Sequence, residues 1–156
     1  MLLGTLLGGG LSQWWCQRTL LAPTIAVTVT ETGQAFTARL DSGAVVSSIN
    51  AVDIRVLGSD NLPSARDTGK LISFALVNDA GDRRQLTARV AQVRGIRSAD
   101  CREVRYHVYL TVRFRNRDYR ILTNLNDRSS AGDKLLLGRN WLRYGFAVAT
   151  QGEPEL

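Results

Sequence analysis

The groups in this chain best suited to hydrolytic chemistry stand together in one short stretch, Asp41-Ser42-Gly43-Ala44. It follows Gln34–Leu40, where Phe36, Ala38 and Leu40 alternate with Ala35, Thr37 and Arg39, the period-2 signature of a half-buried strand. Small Ser42 and flexible Gly43 then end the strand and turn the backbone sharply. One carboxylate is left at the mouth of a tight turn, framed by a hydroxyl and by backbone amides able to hydrogen-bond it. Asp-Ser-Gly is also common in surface turns, so the tetrapeptide alone does not define a site.

Other chemistries are poorly supplied. The one histidine, His107, falls on the polar side of a strand and reads as an exposed residue. Cys16 and Cys101 are far apart and have no CxxC partner, so neither reads as a nucleophile, and a disulfide between them would need an oxidising compartment. Ser42 has no motif linking it to His107 as a base. One His, two distant Cys and no His-Glu-x-x-His helix supply no zinc ligand set, so the expected metal is none.

The elements that must position Asp41 follow from the pattern. A chain of 156 residues, 44% hydrophobic, is one domain long enough to bury a real core. Ile25, Val27 and Val29 alternate with Ala26, Thr28 and Thr30, and Glu31-Thr32-Gly33 turns that strand into the one delivering Asp41. Asn50–Leu57 reads as a short helical or irregular piece. Lys70–Val77 and Gln85–Val93 are strands joined by Asn78–Asp82. In the longest alternating stretch, Val104, Tyr106, Val108, Leu110, Val112 and Phe114 make an apolar face opposite Arg105, His107, Tyr109, Thr111, Arg113 and Arg115. Asn116-Arg117-Asp118 turns it into Tyr119–Leu125.

Charge and the N-terminus bound the partners. The net charge is +6, and of the 20 basic residues only Lys70 and Lys134 are lysines. Arginine suits bidentate contacts to carboxylate or phosphate. No clustered basic helix or nucleic-acid module is present, so a basic solvated surface, or an acidic peptide or cell-envelope partner, is expected rather than nucleic acid. Residues 1–17 carry no charged side chain and mix Leu and Gly before Trp14-Trp15-Cys16. That stretch is short for a span and lacks a basic start and a small-residue cleavage site. It reads as an unusual export signal or membrane tether, against a segment packed on the domain. Residues 18–23 read as a linker. The expected location is the periplasm, free or anchored to the inner membrane, with the cytoplasm as the alternative.

Near the other end, Lys134-Leu135-Leu136-Leu137-Gly138-Arg139-Asn140-Trp141-Leu142 is an apolar run closed by Gly-Arg-Asn. An aspartate turn followed by such a run resembles the retropepsins, the single-domain dimeric relatives of pepsin-like aspartic proteases. Asp41–Ala51, then Arg105-Tyr106, then Asp127-Arg128-Ser129 before Leu136–Arg139, resembles one bacterial retropepsin-like family. That family has long been labelled "ATP-dependent zinc protease", and its members are encoded beside ATP-grasp ligases that add glutamate. The resemblance covers roughly residues 24–150, leaving 1–23 and 151–156 as flanks. This chain has Ser47-Ser48-Ile49-Asn50-Ala51 where the family has Thr-Ser-x-Leu-His-Ala, and Ser130–Lys134 where it has Met and Tyr-Pro.

The resemblance implies an all-β, retropepsin-like closed barrel with one short C-terminal helix. It also implies a homodimeric aspartic endopeptidase that needs no cofactor and acts on a protein or peptide. Such chemistry needs two carboxylates about 3 Å apart sharing one proton. This chain supplies only Asp41, so a C2 mate supplies the other. Ser42, Gly43 and Ala44 would support the loop, with Leu137 and Gly138 beneath it. Asp127, Arg128, Ser129 and Arg139 are either substrate-facing or structural. The flap over the substrate would be Asn78–Asp82 or Gly95–Asp100. The rival reading is a catalytically silent dimerisation or peptide-binding module at the cell envelope.

Overall fold

The computed structural model describes residues 18–59, 63–98 and 101–149. The segment read as a signal or anchor, Cys16 with it, lies outside the described residues. Among the described residues, ten strands and one short helix follow in order: β1 Thr19–Leu21, β2 Thr24–Val29, β3 Gln34–Leu40, β4 Ser47–Val56, β5 Leu71–Val77, β6 Arg83–Ser98, β7 Cys101–Phe114, β8 Arg117–Asn126, β9 Leu135–Leu137, α1 Arg139–Leu142 and β10 Phe146–Val148. A 3₁₀ turn, Ala65–Asp67, precedes β5. Among the described residues no helix is long and apolar enough to cross a membrane.

The strand pairings return on themselves. β3 joins β9, β9 joins β4, β4 joins β8, β8 joins β7, β7 joins β2, and β2 returns to β3. β5 and β6 bridge β4 to β7 in a second circuit. The fold is thus all-β, a closed ring of strands with one short C-terminal helix, the architecture the resemblance implies. Alternation explains the core: Val27 and Val29, Phe36, Ala38 and Leu40, and Val108, Leu110 and Val112 all turn their apolar side inward. The same core holds Phe74, Ile49, Leu135, Leu137 and Trp141, all essentially without solvent contact. Trp141 stacks on Phe146 at 4.4 Å and meets Phe114 and Tyr119 edge-on, which clamps α1 and β10 to the strands.

The structure differs from the sequence reading at several places. Asn50–Leu57 is not helical or irregular, because β4 runs through Val56. Val52, Ile54 and Val56 are half-buried while Asp53 and Arg55 are exposed, so β-branched alternation won over the polar residues between. The one irregularity is a register shift at Asp53, whose φ of 53° marks a bulge and whose carboxylate pairs with Arg83. Residues 18–23, read as a linker, contain β1, which pairs in parallel with β10.

His107 is buried rather than exposed. It sits mid-sheet, with Gln92 and Asn124 in register on either side. The Asn78–Asp82 turn is fastened to β3. Asn78 donates to the Ala35 carbonyl at 3.0 Å, the Thr37 amide donates to Asp79 at 2.8 Å, and Gln34 donates to the Asp82 carbonyl at 2.7 Å. A turn tied at three points has little freedom to act as a flap.

Candidate active site

β3 ends at Leu40, and the Asp41 amide carries its ladder one step further by donating to the Leu137 carbonyl at 2.9 Å. The chain then doubles back, and the half-buried Asp41 carboxylate closes an Asx turn. Its Oδ1 accepts from the Gly43 amide at 2.9 Å and from the Ala44 amide at 3.2 Å. Two amides on one oxygen fix the direction of the carboxylate and leave Oδ2 for chemistry. A Cβ on residue 43 would lie 3.2 Å from that Oδ1, so Gly43 keeps the turn tight. Ser42 is exposed, and its hydroxyl makes no hydrogen bond to the described residues.

The floor of the loop is Gly138. A Cβ there would stand 2.8 Å from the Ala44 carbonyl oxygen and 2.9 Å from the Val46 carbonyl carbon. The close approach is used by the next two amides: Arg139 donates to Ala44 O at 2.8 Å and Asn140 to Val45 O at 3.2 Å. Side chains complete the brace. Asn140 Oδ1 accepts from both the amide and the hydroxyl of Ser47, Ser47 Oγ accepts from the Gly138 amide at 3.0 Å, and Asn140 Nδ2 donates to Leu122 O at 2.7 Å. Asp41, Ser42, Gly43 and Ala44 are thus brought together with Leu137 and Gly138. Ser47 and Asn140 escaped the sequence reading. The only trace of them was an Asn directly after Gly138-Arg139 and a Ser heading an apolar strand.

Asp127, Arg128 and Ser129 lie apart from that turn, in the loop between β8 and β9. The Ser129 amide donates to Asp127 at 2.9 Å, and the Ser129 contacts hold the Asp127 carboxyl below its usual range. Asn50 Oδ1 receives the Arg128 amide, and Arg128 Nε donates to the Asp133 carbonyl. Lys134 reaches the carbonyls of Arg128, Ser129 and Ala131 within 2.8–3.1 Å. The loop therefore spends these groups largely on itself.

Arg139 opens outward. With Arg120 and Arg143 it rims a cavity of about 490 Å³ whose apolar lining includes Val45, Val46 and Leu122. Arg120 lies over the Tyr109 ring at 4.2 Å. A second groove of about 410 Å³ runs from Ser42 along Leu142, Phe146 and Val148. Among the described residues no group of His, Cys, Asp and Glu is gathered to hold a metal.

A ring of strands, a strand-end aspartate in an Asx turn, and a glycine-floored strand crossing beneath it define a half-sized acid-protease-like domain. Residues 25–150 match the family model of the retropepsin-like aspartic endopeptidase RimB, and the chain belongs to that RimB-like family. A probable alpha-L-glutamate ligase of Parasynechococcus marenigrum is 30% identical over 126 residues, 78% of this chain but only 26% of that protein. The chain thus spans about a quarter of that relative's length. Lpg0085 of Legionella pneumophila, a protein of unknown function, has the same fold, with a TM-score of 0.65 and 21% identity over 83% of this chain and 92% of that one.

Proposed function

We propose that two copies of this chain form an aspartic endopeptidase, Asp41 of each lying across the twofold axis from the other. The observation that carries this reading is the Asp41 turn: a lone carboxylate oriented by its own amides and braced on Gly138, beside a hydroxyl with no partner among the described residues. In the dimer one Asp41 is ionised and takes a proton from water, while the protonated mate donates to the scissile carbonyl. The water oxygen bonds to the carbonyl carbon. Collapse of that adduct breaks the C–N bond as the amine takes a proton. The groove beside Ser42, apolar through Leu142, Phe146 and Val148, offers a surface that a second copy would cover.

The long β6–β7 hairpin is the flap in this reading, since Asn78–Asp82 is tied to β3. Arg120, Arg139 and Arg143 around the cavity next to the loop favour an acidic peptide. A relative bearing the name of a glutamate ligase fits a glutamate-bearing one.

The test is light scattering across a dilution series together with cleavage of an unfolded protein and of glutamate-rich peptides between pH 4 and 7. A dimer whose cleavage falls on dilution and vanishes in Asp41→Asn, with fold and dimer intact, is expected. A monomer at every concentration, without cleavage, overturns the proposal in favour of a binding module.

A further inference from the structure

The outer half of the β6–β7 hairpin pairs only with itself. β6 pairs with β5 as far as Arg89, and β7 pairs with β8 from His107 onward. Beyond those points residues 93–98 of β6 face residues 101–106 of β7 and pair with no other described strand. The base of this arm is also bent, because the register shifts between Val90 and Gln92, a bulge at Ala91. The arm is about 17 Å long at about 3.4 Å per residue, so a tilt of about 10° at its base carries its end about 3 Å. Misplacing a group by about 1 Å can cost about a hundredfold in rate, so an arm that closes over substrate needs its base fixed.

One turn grips both strands at that base. The 3₁₀ turn Ala65–Asp67 and the residues after it meet β6 through the backbone. The Gly69 amide donates to the Val90 carbonyl at 2.8 Å, and the Val90 amide donates to the Lys70 carbonyl at 2.9 Å. They meet β7 through Asp67, whose Oδ2 accepts the Tyr106 hydroxyl at 2.8 Å. Tyr106 faces Val93, the first pair of the free arm. Asp67 has no solvent contact. Its other donors are the Ser64 amide at 2.9 Å, Lys70 Nζ at 2.8 Å and the Ser59 hydroxyl at 3.2 Å. All three belong to its own loop between β4 and β5, so among the described residues Tyr106 is the one donor from outside it. A buried carboxylate is costly unless well paired, and an apolar side chain of similar size is often as stable in its place. Three donors of the loop thus hold a carboxylate whose remaining contact is with the arm. Ionised, it can only accept, which fixes the direction of the Tyr106 hydroxyl.

We propose that Asp67 is a positioning residue of the peptidase: through Tyr106 it locks the base of the β6–β7 arm, so that the flap closes at one angle. This rests on the peptidase reading above, which it deepens by naming what sets the flap. Without the lock the turn holds the arm only from the β6 side, through Arg89 and Val90.

The test is a matched pair of hydroxyl deletions in the full chain. Tyr106→Phe removes the donor on the arm, and Ser59→Ala removes one within the loop. Amide exchange is followed at residues 93–98 and 101–105, with Gln34–Leu40 of β3 as the reference, and cleavage of the peptides above gives kcat/KM. Tyr106→Phe is expected to speed exchange in the arm at least tenfold with β3 unchanged, and to lower kcat/KM at least tenfold. Ser59→Ala should do neither. Asp67→Asn is read the same way if Tyr106→Phe does not fold. Arm exchange that Tyr106→Phe leaves unchanged, or raises no more than in β3, overturns the lock. A loosened arm with kcat/KM intact overturns the positioning role. A wild type that cleaves no peptide, while Tyr106→Phe still loosens the arm, removes the peptidase reading and leaves the lock standing.

Discussion

Gly138→Ala tests whether the floor of the loop is built as described. The added methyl meets only backbone: Ala44 O at 2.8 Å, Val46 C at 2.9 Å and Val46 O at 3.1 Å. No side chain can rotate away, so either the loop rises or β9 sinks, and the Arg139-to-Ala44 and Asn140-to-Val45 hydrogen bonds stretch with it. Overpacking of this kind costs about 1–3 kcal/mol. With one or both hydrogen bonds weakened, each worth about 1 kcal/mol net, the total is about 3 kcal/mol. For a domain of this size that lowers Tm by roughly 10 °C. Gly132→Ala is the control, since a Cβ at Gly132 meets nothing within 4 Å. Thermal denaturation followed by circular dichroism reads both variants, and peptide cleavage reads the loop. A Gly138→Ala protein that melts and cleaves like Gly132→Ala would refute the close approach and the bracing role with it.

Other variants probe the supports around that floor. Ser47→Ala removes the acceptor of the buried Gly138 amide and should cost about 1–3 kcal/mol in chemical denaturation. A double-mutant cycle with Asn140→Ala should be clearly non-additive, because the two share Oδ1. Lys134→Met should loosen the Asp127–Ser129 loop, seen as faster amide exchange at Ser129 and Ala131 with little change in global Tm. Asp67, buried and held by Lys70, Tyr106 and the Ser64 amide, has its carboxyl lowered far below the usual range. Its contribution is therefore full above the unfolded value near 4 and drains away as pH falls below it. The wild type should lose stability more steeply than Asp67→Asn between roughly pH 4 and 2. Parallel curves would sink that assignment. Tyr106, pushed up to about 12 by burial and by Asp67, works at the other end, its stabilisation lost as pH rises from about 10 to 12.

Much of this fold was legible because strand alternation is a local signal. Phe36, Ala38 and Leu40 announced β3, and Val104–Phe114 announced β7, since one side of each must leave water. The Asp41 turn was legible for the same reason: Asp41 follows a strand, and Gly43 permits the turn. What alternation cannot tell is which polar side becomes covered. His107 was assigned to the polar face correctly, but whether that face is wet at residue 107 depends on Asn124 and Gln92, neither near it in sequence. Ser47 and Asn140 were invisible for the same cause, being 93 residues apart and linked only once β4 and α1 are neighbours. Asn50–Leu57 failed differently. Its polar residues suggested a break, but the ladder to β5 accommodates Asp53 as a bulge rather than ending there.

The division of labour inside the loop bears on how such a half-site works. The chain's own contacts go to direction and height: two amides on Asp41 Oδ1, one carbonyl beneath the Asp41 amide, and a glycine that lets β9 close from below. Among the described residues none goes to the second carboxylate oxygen or to the Ser42 hydroxyl. The Asp127–Ser129 loop, by contrast, is tied down through its backbone, with Lys134 on the Arg128 carbonyl and Asn50 on the Arg128 amide. At the Asp41 turn the two amides fix one carboxylate oxygen, and the Ser42 side chain stands exposed beside it. That is the arrangement in which a symmetry-related copy meets a preorganised partner rather than a mobile one, and preorganisation of this kind is what an electrostatic catalyst requires. A catalytically silent module would need the dimer surface but not an Asp41 carboxylate held by two of its own amides.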